Sequence, residues 1–160
     1  MYKKIVVPLD GSELSKVALP HACEIARAFG ASVTLLSVIE PIVRAYFWAT
    51  DPYGLLAAES AAEYEEHREH NVAEAFLNQI KEEMSSKGIE IKTEVLDGDP
   101  GSEICDYVVE HKADMIIMST HGRSGVKRWV YGSVAEKVLH GADVPVLLVR
   151  SHTKQQEAEK

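Results

Sequence analysis

Three short runs in this chain, Ile5–Leu9, Val33–Ile39 and Met115–Met118, are apolar on both faces. A strand of that kind belongs in the middle of a parallel sheet, where helices cover both sides. Two more strands are expected. Ile89–Leu96 alternates apolar and polar residues, which leaves one face wet and puts it at an edge, and Val146–Val149 comes last. The third central run belongs to a strand expected over Asp114–Ser119.

Helical periodicity fills the gaps. Leu14, Val17, Ala18, His21, Ala22, Ile25 and Phe29 recur at three- and four-residue steps, with Ser12 as the expected N-cap and Gly30 as the stop. Pro20 should kink this helix, since the periodicity continues on both sides. A long helix is expected from about Ala57 to Ser86, with Val72, Phe76, Ile80 and Met84 as its apolar stripe. Ile104, Tyr107, Val108 and His111 mark a third, and Val134, Val138 and Leu139 a fourth after Gly132-Ser133. Alternating strands and helices imply parallel pairing with right-handed crossovers. The expected fold is a doubly wound, Rossmann-like α/β domain. Its five-stranded parallel sheet has the order 3-2-1-4-5, with helices on both faces. Glu40–Leu56 holds Tyr46, Phe47, Trp48 and Tyr53 and reads as a packed flap. Ser151–Lys160 reads as a polar tail, which leaves residues 1–150 as one domain.

Composition narrows the function. The formal net charge of −8 argues against general binding to nucleic acid or to anionic membranes. No window approaches the ~18 apolar residues of a membrane span, and the opening apolar run is too short for a signal peptide. Cys23 and Cys105 are isolated in helical patterns and read as small buried apolar residues, so a reducing cytoplasm is expected. Against the acidic background, Arg123, Lys127 and Arg128 form a basic island without acids. That suggests a local anion site.

The island lies in the most informative stretch, Ser119 to Ser133. It leaves a buried strand, passes Gly122, Gly125 and Gly132, and enters a helix at Ser133. Glycines let backbone N–H groups approach an anion, and a helix N-terminus adds unpaired donors and partial positive charge. Ser124 and Ser133 add hydroxyls. A tight turn without a ligand is the alternative; the stretch is neither a Walker A loop nor a Rossmann fingerprint. A second strand-to-glycine-to-helix turn follows the first strand, at Asp10-Gly11-Ser12. If strands one and four are neighbours, the two loops share the crevice where the winding reverses. Asp10 would then offer an acceptor to a ribose hydroxyl or adenine amino group, or serve as a helix cap.

These segments resemble the universal stress protein family. Gly122, the nine residues after it and Gly132-Ser133 match its ATP-binding signature G-x-x-G-x9-G-S/T, with Ser119 in place of the first glycine. The opening Ile-Val-Val-Pro-Leu-Asp-Gly-Ser and the closing Val-Pro-Val-Leu-Leu-Val carry the resemblance over nearly the whole chain. The resemblance implies an architecture shared with the adenine nucleotide α hydrolases and a bound ATP, with Mg²⁺ or Mn²⁺. It implies Pro8 and Asp10 on the nucleoside side and the Val38 backbone at the adenine edge. Ser119, Thr120, His121, Gly122, Arg123, Ser124 and Gly125 would wrap ribose and phosphates, and Ser133 with Val134 would cap the phosphate tail beside Gly132. The expected function is a cytoplasmic, ATP-dependent regulatory module in stress response, acting on a protein partner that the sequence does not name. A slow ATPase or a nucleotidyl-transferring relative is the alternative. No nucleophile or general base is identifiable, so no catalytic residue is assigned.

No metal site is assigned either. His67 and His70, with Glu63 and Glu66, could hold a divalent ion, but a solvated charged face is the better reading. The last strand, Val146–Val149, is apolar yet falls at an edge, which predicts a homodimer through that strand unless the tail or the flap covers it.

Overall fold

The structure, a computed structural model, describes residues 1–40, 52–85, 88–120 and 132–150, with side chains in the long helix described from Glu63 onward. The elements run β1 (Lys4–Pro8), a 3-10 turn (Ser15–Ala18), α1 (Leu19–Phe29), β2 (Ser32–Ile39), α2 (Pro52–Ser85), β3 (Ile91–Asp97), α3 (Pro100–His111), β4 (Met115–Ser119), α4 (Ser133–Gly141) and β5 (Val146–Val149). All strand pairs are parallel, in the order β3-β2-β1-β4-β5. The doubly wound sheet expected from the apolar runs is the one observed.

Two apolar layers hold the sheet. On one face Ile5, Val7, Val33, Leu35 and Ile117 pack with Ala22, Cys23 and Ala26 of α1 and Leu77, Ile80 and Met84 of α2. On the other, Val6, Leu36, Ile116 and Met118 meet Ile104, Tyr107 and Val108 of α3 and Ala135 and Val138 of α4. Full burial of each Val, Leu or Ile is worth roughly 1.5–3 kcal/mol. Exposed ion pairs such as Arg27–Glu24 contribute about 0–1 kcal/mol, so the layers dominate.

Five details differ from the sequence reading. The first helical pattern is split, because Ser15–Ala18 is a 3-10 turn and the α-helix begins at Leu19. Pro20 thus lies in the first turn of α1, where its missing N–H costs nothing, and does not kink a continuous helix. Helix α2 begins at Pro52, inside the stretch read as a flap; Tyr46, Phe47, Trp48 and the tail Ser151–Lys160 lie outside the described residues. Val72 of the expected stripe is 65% exposed, and the buried face runs through Leu77, Ile80 and Met84. Cys23 is buried as expected, whereas Cys105 is half-buried, and both are free thiols.

One surface carboxylate ties the chain start to the sheet. Asp114 Oδ2 accepts the backbone N–H of Lys3 (2.7 Å) and of Lys4 (2.9 Å). Those two bonds hold its carboxyl below the ordinary value of 3.8, that to Lys3 having the larger effect. Because the folded pKa is depressed, the stabilisation is complete above the unfolded value and disappears as pH falls through the folded one. Asp114→Ala should therefore cost about 1–2 kcal/mol near neutral pH. Denaturant unfolding should show this difference shrinking once pH drops below 3.8.

Candidate functional site

The two central strands part at their carboxyl ends. Register between β1 and β4 covers Ile5–Met115 and Val6–Ile116. Beyond it, β1 stays with β2 to Pro8–Leu36 and β4 stays with β5 to Ser119–Val149. This is the switch point of the winding, where α/β sheets place ligands.

The floor is built by the β1–α1 turn. Gly11 adopts a positive φ of 83°, which favours glycine. Asp10 Oδ1 accepts from Ser12 N–H (3.0 Å) and from Ser12 Oγ (2.6 Å). Ser12 Oγ in turn accepts from Ser15 N–H (3.2 Å), and the buried Ser15 hydroxyl donates to the Ser12 carbonyl (2.7 Å). Asp10 thus folds back on Ser12 in a local turn. Ser12, expected as the N-cap of the first helix, instead meets Ser15 ahead of it, because the 3-10 turn is capped at Leu14 and α1 at Ala18, both without a side-chain bond. The 3-10 turn crosses to pack on β4 and β5, closing the gap from the α1 side.

Along the β2 wall, Leu9 N–H donates to the Leu36 carbonyl at 2.8 Å, just before the chain turns away at Asp10-Gly11. Alternate residues of a strand present backbone groups to the same edge. Val38, two residues beyond Leu36, therefore turns its N–H and C=O toward the vacated side, while β3 flanks its other edge through the Val38–Leu96 register.

On the far side, Ser119 and Thr120 are buried at the end of β4. Thr120 N–H donates to the Val149 carbonyl, and Gly132 N–H returns to the Thr120 carbonyl, both at 2.9 Å. The second bond closes the long excursion at its root and sets the start of α4 beside the end of β4. Glu136 N–H to the Gly132 carbonyl (2.9 Å) is the first helical bond, so the next N–H groups of α4 are those that precede helical pairing. Gly132, the N-cap, has no side chain to occupy them and a φ of −59° that any residue can adopt. Ser133 is exposed and Val134 half-buried.

The fold thus brings Ser119, Thr120, Gly132, Ser133 and Val134 together on one side of the parting, with half-buried Pro8 and Asp10 opposite and Val38 on the adjoining strand. His121, Gly122, Arg123, Ser124 and Gly125 lie outside the described residues, as do Lys127 and Arg128. The histidines set aside above serve as surface pins: His70 Nε2 meets Asp97 Oδ1 and His67 Nδ1 meets the Glu63 carbonyl, both at 2.7 Å.

Two depressions lie elsewhere. One of about 370 Å³, lined by Arg27, Gly30, Gly88 and Glu90 among others, is at the amino-terminal ends of β2 and β3. The other, about 330 Å³, runs along Glu74, Asn78, Thr93 and Glu94. Neither gathers backbone donors at a helix start, so the carboxyl ends remain the candidate site. The sequence reading overlooked Asp99 and Lys137, which meet beside it: they are far apart in the chain, and only the Asp99-Pro100 helix-start signal was visible.

The family model described as the universal stress protein family matches residues 1–150. Universal stress protein MJ0531 of Methanocaldococcus jannaschii is 36% identical over 155 residues, covering 97% of this chain and 86% of its own. The solved structure of MJ0577, from the same organism, superposes with a TM-score of 0.80 at 29% identity, covering 96% of this chain and 99% of its own. More distant neighbours share the fold. They are a universal stress protein in complex with cAMP (TM-score 0.66, 22% identity, covering 94% and 98%), one from Archaeoglobus fulgidus with dAMP (0.58, 22%, 92% and 97%) and one from Arabidopsis thaliana with AMP (0.64, 18%, 98% and 97%).

Proposed function

The chain belongs to the universal stress protein family, and on that premise we propose that it is a cytoplasmic ATP-binding regulatory module. The nucleotide lies across the parting of β1 and β4, and its occupancy sets a surface that a protein partner recognises. The observation that carries this reading is the bond from Gly132 N–H to the Thr120 carbonyl. It delivers a helix start without a capping side chain to the switch point of the sheet. Phosphates suit that terminus, where unpaired N–H groups and the helix dipole favour negative charge. The exposed edge of Val38 suits the donor–acceptor rim of adenine, and the neighbours with bound cAMP, dAMP and AMP support an adenine nucleotide. His121 to Gly125 would complete the phosphate wrap. Among the described residues no group of three His, Cys, Asp or Glu side chains could hold a metal. A Mg²⁺ or Mn²⁺ ion carried with the nucleotide would be held chiefly by its phosphates.

The test is direct. Protein incubated with MgATP, washed and denatured should release intact ATP, with turnover below about 1 per second. Release of ADP with turnover of many per second would make it an enzyme, and an empty cleft would end the proposal.

A further inference from the structure

Helices α3 and α4 are joined near their amino ends, beside the candidate site. Asp99 caps α3, its Oδ1 accepting Ser102 N–H at 2.9 Å, and the same oxygen receives Lys137 Nζ at 2.5 Å. The Lys137 stem lies across Gly101, which is buried. A Cβ added at Gly101 would sit 2.5 Å from Lys137 Cδ and 2.8 Å from its Cβ and Cγ. The long lysine end could swing away. Its Cβ moves only with the α4 backbone, so the missing side chain at Gly101 sets how closely the two helices approach. The cap turn is fixed at its other end too, because Gly98 N–H donates to the carbonyl of Ile39, the residue after Val38, at 2.9 Å.

We propose that Asp99, Gly101 and Lys137 form a clasp that positions the amino terminus of α4 for the phosphates of the bound nucleotide. This inference rests on the nucleotide reading above. Lys137 is one turn after Ser133 on the same helix face, about 6 Å along the axis, so a shift at Lys137 is carried rigidly to the phosphate end. The clasp also links that end, through Gly98 and Ile39, to the strand that offers its edge to the base. Lys137 and Asp99 side chains are 52% and 54% exposed. Such a pair adds little stability, and its role is geometric. The lysine bond, followed by that of Ser102, pushes the Asp99 carboxyl from 3.8 down to about 2.

Calorimetric titration with MgATP and with adenosine tests the clasp, because only ATP reaches α4. Gly101→Ala should weaken ATP binding by about tenfold or more, the equivalent of one charge-assisted hydrogen bond, and leave adenosine within about twofold. Adding Lys137→Ala to it removes two of the close stem atoms and should recover part of the lost affinity, a non-additive rescue that general destabilisation would not produce. Lys137→Met, at a half-exposed site, serves if Gly101→Ala does not fold, and should cost ATP alone about threefold. Unchanged ATP affinity in the folded variants, equal losses for both ligands, or no rescue would each overturn the clasp. Wild-type protein that binds ATP no more tightly than adenosine would instead overturn the phosphate placement on which it rests.

Discussion

Gly132→Val is expected to reduce ATP affinity by about two orders of magnitude or more and to leave the fold standing. The backbone at Gly132 has φ −59° and ψ 151°, an extended conformation that suits a β-branched residue. Both of its backbone bonds, to Thr120 and from Glu136, survive the change. Valine is a poorer N-cap than glycine, and the helix loses at most about 1 kcal/mol. The added methyl groups would stand over the first N–H groups of α4, where a phosphate has to approach closely. Losing two charge-assisted bonds at about 1.5–3 kcal/mol each accounts for the expected factor. Titration with ATP beside a circular dichroism spectrum checks both halves. A folded variant with wild-type affinity would show that the phosphates lie elsewhere.

Wild-type protein should have about twice the single-chain mass of 17.7 kDa in light scattering, and Leu148→Pro should halve it. Strand β5 lies at the sheet edge. Its Pro145 and Val149 carbonyls face β4, accepting from Ile116 N–H (3.0 Å) and Thr120 N–H (2.9 Å). Alternation then turns the N–H and C=O groups of Val146 and Leu148 outward, ready to pair with the same strand of a second copy about a two-fold axis. Proline at 148 removes one outward donor and no bond within the sheet, and edge strands tolerate such a change. Lysines at Leu147 and Val149 would be a poorer probe, because both side chains pack against the α1-side core. A wild-type mass of 17.7 kDa at micromolar concentration would refute the dimer, as would a dimer that survives Leu148→Pro.

The strand order was legible because burial leaves a direct imprint on the residues. Val6 and Val7 are both buried, one on each face, whereas Lys92 and Glu94 of β3 meet water on one face only. Helix details were less legible, for geometric reasons. Steps of four advance 40° around an α-helix, so Val72 and Met84, three such steps apart, lie 120° from each other. Mixing steps of three and four keeps Leu77, Ile80 and Met84 in line, and these are the buried residues. A 3-10 turn and an α-helix share the three-residue recurrence, which hid the break before Leu19. Proline punctuates turns and also opens helices, and Pro52 does the latter. At the site, Gly132-Ser133 could be read from sequence as a helix start. The bond that brings it to Thr120 could not, since any residue except proline supplies the same N–H.

That bond has a consequence for how the molecule can change. Gly132 N–H and the Thr120 carbonyl tie the two ends of the intervening segment through main-chain atoms alone. Entropy of closure rises by only about 0.6 kcal/mol for each doubling of length. Adding or removing residues between Thr120 and Gly132 should therefore cost the root little in closure entropy.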